Sequence, residues 1–204
     1  MGLFSRFMSS PAAKEVFPNK RRFLVSNLLK GLVWLIIIVG GYFYLKKNYD
    51  FTLEAILGPV YDQPTIVYLL FLASEVIFGI IPPELFMIWS LRNEVLSDYI
   101  SNIFALSIIS YLSGVLGFLI GQYLNNTQFY KQMKKRVFGK FETHLNNFGG
   151  FLVIVAAVTP IPFSGIAMLV GSVRYPFRKY LVFSLFRFVR FLVYSVIVWE
   201  AHIL

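Results

Sequence analysis

The sequence predicts an all-helical integral membrane protein, and three observations lead to that prediction. Of the 204 residues, 57% are hydrophobic and 14% are charged, whereas soluble domains average about 45–50% and about 25%. The mean hydropathy is +0.68. The apolar residues fall in five stretches long enough for membrane segments, at 24–45, 66–90, 101–124, 148–172 and 181–199. This composition excludes a soluble enzyme, a disordered chain and, with no Cys present, a disulfide-built secreted module.

The basic residues set the expected orientation. There are 19 of them against 10 acidic residues, and basic residues of membrane proteins accumulate on the cytoplasmic side. Six lie within 6–30, five lie in the linker 125–147, and three lie within 174–179. The first stretch is too long for the apolar core of a secretory signal peptide. We therefore expect a basic cytoplasmic N-terminal segment, 1–23, and a single polytopic domain, 24–204, in the inner (plasma) membrane.

The second stretch, 66–90, is predicted to dip into the membrane and return. Pro82 and Pro83 interrupt it, and proline removes a backbone donor and disfavours helix at the residue before it. With the N-terminus inside, both ends of this stretch lie outside. Each half has about 12 residues, roughly 18 Å of helix, which is too short for a hydrocarbon core of about 30 Å. A re-entrant hairpin that breaks at the two prolines satisfies both constraints.

The fourth stretch, 148–172, is also predicted to dip into the membrane and return, but from the opposite side. Basic residues flank both of its ends, so both ends lie inside, and Pro160 and Pro162 break its centre. Each hairpin precedes a plain spanning stretch, 101–124 or 181–199. The sequence thus predicts two oppositely oriented hairpins that form an inverted repeat, an arrangement that places a transport site near the bilayer midplane. Two kinked spanning helices are the alternative.

Two connecting segments are expected to lie at the membrane surface. Segment 46–65 is predicted to be an outside loop with a short interfacial helix around 51–57. The linker 125–147 carries apolar residues at spacings near four with lysines on the other side, which is typical of an interfacial helix on anionic headgroups. A solvated helix that only sets topology is the alternative. Gly117 and Gly121 form a GxxxG pair, which indicates close helix packing.

Four ionisable residues inside the apolar stretches are the principal site candidates: Glu75, Glu84, Arg187 and Arg190. Each would cost roughly 2.5–3.5 kcal/mol at the bilayer centre without a partner. Because the two arginines are three residues apart, they share a helix face. They could pair with the two hairpin carboxylates and hold a phosphate bidentately. A deep carboxylate also suits proton coupling. Alternatively, Glu84 and Arg190 lie near an interface and extend their charges into it.

The remaining polar candidates are weaker. Thr159 and Ser164 flank the second break, where their hydroxyls could contact a headgroup or an ion, although hydroxyls beside proline commonly cap freed carbonyls. His144 and His202 have no partners at the spacing of a metal site. No nucleotide-binding or hydrolase motif occurs in the sequence. We therefore expect no metal, no cofactor, no nucleic-acid partner and no enzymatic activity.

Several motifs occur in a specific order along the chain. They are EVIFGIIPPE at 75–84, a glycine-rich segment at 114–121, PIPF at 160–163 and VGSVRYPFRKY at 170–180. In this order they resemble the DedA family of membrane proteins, also called the VTT or SNARE-associated family, over about 66–199. Members of that family are thought to move lipids between leaflets. Bacterial members are linked to recycling of undecaprenyl phosphate or phospholipids with a proton or sodium gradient, and eukaryotic relatives behave as phospholipid scramblases.

The resemblance also implies site residues. The family's acidic positions in the first hairpin match Glu75 and Glu84. Its second hairpin commonly carries one arginine before the proline and another just after it, and the matching places here are Ala157 and Phe163. Other basic residues of this chain could take over their role: Arg174, Arg187 or Arg190.

The combined prediction is a lipid transporter for a phosphate-bearing lipid, either a polyprenyl phosphate or a phospholipid. Glu75 and Glu84 would handle protons, sodium ions or the counter-charge of the substrate, and the arginines would hold the phosphate. The lipid tail would stay in the bilayer while the headgroup crosses a polar seam. The chain could also form a homo-oligomer. An ion-coupled small-solute transporter and a non-transporting membrane-organising scaffold are the alternatives.

Overall fold

The structure, a computed structural model, describes residues 20–49, 53–125 and 141–203. Helices account for most of these ranges, and no strand occurs in them. In chain order the α-helices are α1 (Lys20–Tyr49), α2 (Leu53–Leu57), α3 (Pro64–Val76), α4 (Pro83–Trp89), α5 (Leu96–Asn125), α6 (Phe141–Val158), α7 (Phe163–Ser172), α8 (Phe177–Ser184) and α9 (Phe186–Ile203).

Three helical segments in the described part of the chain are long and apolar enough to cross a membrane: Arg22–Tyr49, Leu96–Asn125 and Phe177–Ile203. They correspond to the three stretches predicted to span, which confirms an all-helical membrane protein. The third segment differs in detail from the prediction, because α8 and α9 meet at Leu185, where one turn residue interrupts the helix. This membrane protein is therefore multi-pass.

The first predicted hairpin is interrupted where its prolines lie. Helix α3 has 13 residues and α4 has seven, or roughly 20 Å and 10 Å of helix, so neither crosses a hydrocarbon core of about 30 Å. Before them, α2 is the short helix expected in the outside loop. The segment Leu53–Val60 meets α3 at 105°, and the two would count as a fourth span only if taken together.

The second predicted hairpin has the same plan. Helix α6 ends at Val158, and the 10-residue α7 begins at Phe163. Helix α6 begins at Phe141, before the predicted stretch 148–172, so it includes the last residues of the linker. Pro82 precedes α4 with φ −57° and ψ 132°, and Pro162 precedes α7 with φ −56° and ψ 104°. Pro176 before α8 has similar angles, φ −58° and ψ 116°, because the ring fixes φ and residues before a helix are extended. The inverted repeat and the opposed membrane orientation of the hairpins therefore stay predictions.

Two predicted surface features lie mostly outside the described residues. Most of the basic N-terminal segment 1–23 and the linker residues 126–140 lie outside the described residues, as do the side chains of 141–148. The expectation of an interfacial helix in the linker therefore stays a prediction.

Buried apolar side chains form two clusters. The first joins α1, α3, α4, α9 and the N-terminal part of α5 around Phe71, Met87 and Trp89. The second joins α6, α7, α8 and the C-terminal part of α5 around Phe118 and Tyr180. Because lipid tails are as apolar as these side chains, the clusters stabilise the fold mainly through close van der Waals packing. Because α5 belongs to both clusters, it connects the two halves of the protein.

Glycines allow α5 and α7 to touch through their backbones. A Cβ added at Gly121 would overlap the carbonyl oxygen of Met168, and one added at Gly171 would overlap the carbonyl oxygen of Phe118. At Gly117 the added atom would lie 3.1 Å from the carbonyl oxygen of Ser164. The glycine pair in α5 is therefore a packing surface for the second hairpin, as its spacing predicts.

Candidate functional site

The first helix break is held in shape by one serine and two left-handed residues. Phe78 and Gly79 have φ angles of 62° and 67°, and the left-handed region is unfavourable for a bulky residue such as Phe78. The backbone N–H of Gly79 donates to the carbonyl oxygen of Ser74 at 2.7 Å, and the N–H of Ile81 donates to Ser74 Oγ at 2.8 Å. Ser74 thus satisfies backbone donors that the break frees.

Glu75 lies in the last turn of α3, before this break, and pairs with Arg187 of α9. Arg187 donates from its terminal nitrogen to Glu75 Oε2 and from Nε to Ser110 Oγ. Ser110 Oγ lies 2.9 Å from the same carboxylate oxygen and donates to it. Glu75 and Arg187 are each only 3% exposed. The three side chains therefore form a buried, charge-assisted network that joins α3, α5 and α9.

Glu84 lies in the first turn of α4, after the break. It pairs with Arg190, which lies about one turn further along α9 than Arg187. Arg190 Nη2 donates to Glu84 Oε1 at 2.9 Å, and its Nη1 donates to the carbonyl oxygen of Thr159 at 2.8 Å. That carbonyl lies at the second break, where the helix ladder stops. Arg190 therefore contacts both breaks with one guanidinium group, and the charge of Glu84 is buried with a partner.

Aromatic rings place the two guanidiniums at the junction of the apolar clusters. The Arg187 guanidinium carbon lies 4.6 Å from the ring centroid of Phe163, a member of the second cluster. The Arg190 carbon lies 5.0 Å from the centroid of Tyr194, a member of the first. Cation–π contacts of this kind stabilise a desolvated cation by about 2 kcal/mol. Phe163 occupies one of the two places where the resemblance implies an arginine, and here its ring contacts an arginine from another helix.

Three buried polar atoms at the breaks have no hydrogen-bond partner among the described residues: Glu84 Oε2, Arg190 Nε and Ser164 Oγ. An unmade hydrogen bond of a buried group costs about 1–3 kcal/mol. The site therefore holds both acceptor and donor capacity that a ligand could use after a small rearrangement.

A partly open cavity of about 450 Å³ lies against these groups. Both breaks contribute to it, through the four hairpin prolines and through the apolar side chains of Phe78 and Ile161. Glu75, Glu84 and the two arginines of α9 line it as well. The cavity therefore has a charged part formed by two ion pairs and a mainly apolar wall, to which Ser164 and Lys30 add polar groups. This is the usual make-up of a small-ligand site.

The structure brings most of the candidate residues together, with two exceptions. Arg174 is exposed in the turn after α7, where its φ is 55°, and it does not line the cavity. Thr159 contributes its carbonyl oxygen instead of its hydroxyl, which donates to the carbonyl oxygen of Val155 at 2.7 Å. The hydroxyl thus caps a helix carbonyl, the alternative weighed for it above, while Ser164 lines the cavity.

Sequence reasoning missed four residues at or beside the site. Ser74 and Ser110 carry no signal that separates them from other serines in apolar helices. Lys30 and Trp34 of α1 line the cavity edge. Lys30 is assigned above to the basic N-terminal group, although its position inside the apolar stretch 24–45 was a signal that it belongs to a candidate membrane span.

One comparison with known proteins covers this site. The family model described as VTT domain matches residues 67–200. The match includes both helix breaks and all four paired charges, and it begins after α1. No curated protein and no solved structure matches the chain.

Proposed function

The chain belongs to the VTT domain family, the domain of the DedA membrane proteins, and from that premise we propose that it moves a phosphate-bearing lipid between the two leaflets. One observation carries the proposal. Two buried carboxylate–guanidinium pairs line a cavity where two proline-broken helices meet. Ionisable groups at such a position in a membrane protein are costly, and interrupted helices commonly surround a transport site.

The size of the cavity favours a headgroup as the part that is bound. A volume of about 450 Å³ falls in the usual range for small-ligand pockets, about 300–1,000 Å³. A long apolar tail gains nothing by leaving the hydrocarbon core, so it can remain in the bilayer while the headgroup passes the charged groups. Transport of this kind requires no covalent chemistry.

The ion pairs supply a means of coupling. While Glu75 and Glu84 are ionised, their carboxylates occupy the guanidinium groups of Arg187 and Arg190. Protonation of a glutamate, or binding of a sodium ion to it, weakens its hold on the arginine. The arginine can then bind a phosphate through two parallel hydrogen bonds. Loss of the proton restores the pair and releases the phosphate, so a proton or sodium gradient can drive the cycle.

Glu75→Gln is expected to slow lipid exchange at least tenfold. The amide cannot be ionised, so it cannot alternate between holding and releasing Arg187. The measurement is leaflet exchange of a labelled polyprenyl phosphate and a labelled phospholipid in proteoliposomes, with and without an imposed pH gradient. Glu94→Gln is the matched control, because Glu94 is exposed and lies outside the cavity, and it should behave as the wild type.

Two outcomes of this experiment would contradict the proposal. Folded wild-type protein that moves neither lipid would favour an ion-coupled small-solute transporter or a membrane scaffold. Exchange that is equally fast in wild type and Glu75→Gln would remove the ion pair from the mechanism.

A further inference from the structure

We propose that Lys30 and the surrounding face of α1 form a lateral access site, where Lys30 binds the anionic headgroup of a lipid. In this proposal the apolar side chains beside Lys30 hold the lipid chain before the headgroup enters the cavity. The inference rests on the proposed function and adds to it the residue that selects anionic lipids. It also assigns a role to a helix that the family match does not include.

The cavity lining carries an excess of positive charge. The two carboxylates and two guanidiniums that line it are paired and cancel each other. Lys30 lines the same cavity and forms no ion pair with any described residue. The lining therefore has a net charge of about +1 with the arginines occupied. Lys30 is therefore the cation of this lining that can bind a phosphate while the two arginines are paired.

A groove continues from the cavity along α1. It has a volume of about 550 Å³ and shares Lys30 and Trp34 with the cavity. Its other lining residues recur three or four positions apart and so lie on one helix face. The apolar ones are more than half exposed: Val25, Leu29, Val33 and Ile37.

Helix α1 approaches the second break closely. A Cβ at Gly31 would lie 2.8 Å from the hydroxyl oxygen of Tyr194 and 2.9 Å from Cδ of Pro160. The absence of a side chain at Gly31 allows α1 to rest against these two residues. Its neighbour Lys30 is thereby held at the edge of the cavity.

A lipid with an anionic headgroup matches this surface better than a second copy of the chain. The groove combines an apolar stripe with Lys30 at the cavity edge and Arg22 nearer the helix start. The apolar stripe suits a hydrocarbon chain, and the cations suit a phosphate. A second protein copy would need a carboxylate opposite Lys30, whereas a phospholipid or a polyprenyl phosphate carries both matching parts in one molecule.

The experiment compares two headgroups in proteoliposomes: labelled phosphatidylglycerol, which is anionic, and labelled phosphatidylcholine, which is zwitterionic. Wild type should exchange phosphatidylglycerol faster. Lys30→Gln should slow phosphatidylglycerol about tenfold, as expected for one lost charge-assisted hydrogen bond. It should slow phosphatidylcholine less, because the choline cation offsets the negative charge of its phosphate. Lys30→Arg should keep the preference. Lys47→Gln removes an exposed lysine elsewhere on α1 and should change neither rate.

The outcomes separate this proposal from the one it rests on. If wild type moves no lipid, the proposed function fails. If wild type moves lipids and Lys30→Gln keeps the same headgroup preference, the lateral site is overturned while the proposed function stands.

Introduced cysteines test whether a lipid or a second copy of the chain occupies the groove. The chain has no native Cys, so Leu29→Cys introduces a single thiol in the groove. Leu192→Cys on α9 is the control, since the two leucines are 57% and 65% exposed. A lipid occupant predicts that both variants stay monomeric under mild oxidation. Disulfide-linked dimers through Leu29→Cys alone would show that a second copy covers the groove and would overturn the proposal.

Discussion

Replacing Arg187 by methionine is expected to destabilise the protein by about 3–5 kcal/mol and to abolish transport. The variant leaves the carboxylate of Glu75 buried with only the hydroxyl of Ser110 as a partner. It also removes the cation that lies over the ring of Phe163. Thermal unfolding in detergent measures the first effect, and lipid exchange in proteoliposomes measures the second.

The double variant Glu75→Gln with Arg187→Met separates charge burial from transport. With both charges absent, no ion remains uncompensated, so the double variant should recover most of the stability that the single variant loses. It should remain inactive, because the exchangeable pair is gone. Arg178→Met, at an exposed position of α8, is the control for loss of an arginine. Equal stability of the single and double variants would contradict the coupling.

Gly121→Leu is expected to prevent α5 and α7 from packing and to lower the yield of folded protein severely. Even a Cβ at this position overlaps the carbonyl oxygen of Met168, which is backbone and cannot rotate away. Overpacking that requires backbone shifts costs about 1–3 kcal/mol and occasionally more. The cost of a whole leucine side chain is expected at the upper end of this range. Folded yield and melting temperature in detergent measure the effect.

Gly40→Leu is the matched control for this change. Gly40 lies in α1, and a Cβ added there meets no atom within 4 Å. The same substitution should therefore leave yield and melting temperature close to those of wild type. If both leucine variants lost stability to the same extent, loss of glycine itself would be the cause, and the close contact of α5 with α7 would not be.

The helix breaks could be predicted from the sequence because their cause is local. Proline lacks a backbone donor wherever it occurs, so Pro82, Pro83, Pro160 and Pro162 mark the interruptions without knowledge of the fold. Burial cost likewise requires charges in apolar stretches to have partners. Two acidic and two basic residues of this kind therefore implied pairing before any contact was known.

Other parts of the site depend on long-range packing and could not be predicted. Which glutamate pairs with which arginine depends on how α9 lies against the first break. Ser110 joins its pair from α5, 35 residues after Glu75, and nothing in its local sequence indicates this contact. Arg174 follows the second hairpin closely in sequence, yet the turn after α7 directs it away from the cavity. Its nearness along the chain therefore did not place it in the cavity lining.

The two contacts of Arg190 have a consequence for the protein without a bound ligand. Its guanidinium holds Glu84 at one break and the carbonyl of Thr159 at the other, so the two halves of the molecule are tied together when no substrate is bound. Releasing Arg190 from Glu84 requires either a ligand that competes with the carboxylate for the guanidinium or a proton that binds the carboxylate. If the chain moves lipids as proposed, this resting state keeps the two breaks joined until a substrate arrives, and the membrane around it keeps its ion gradients.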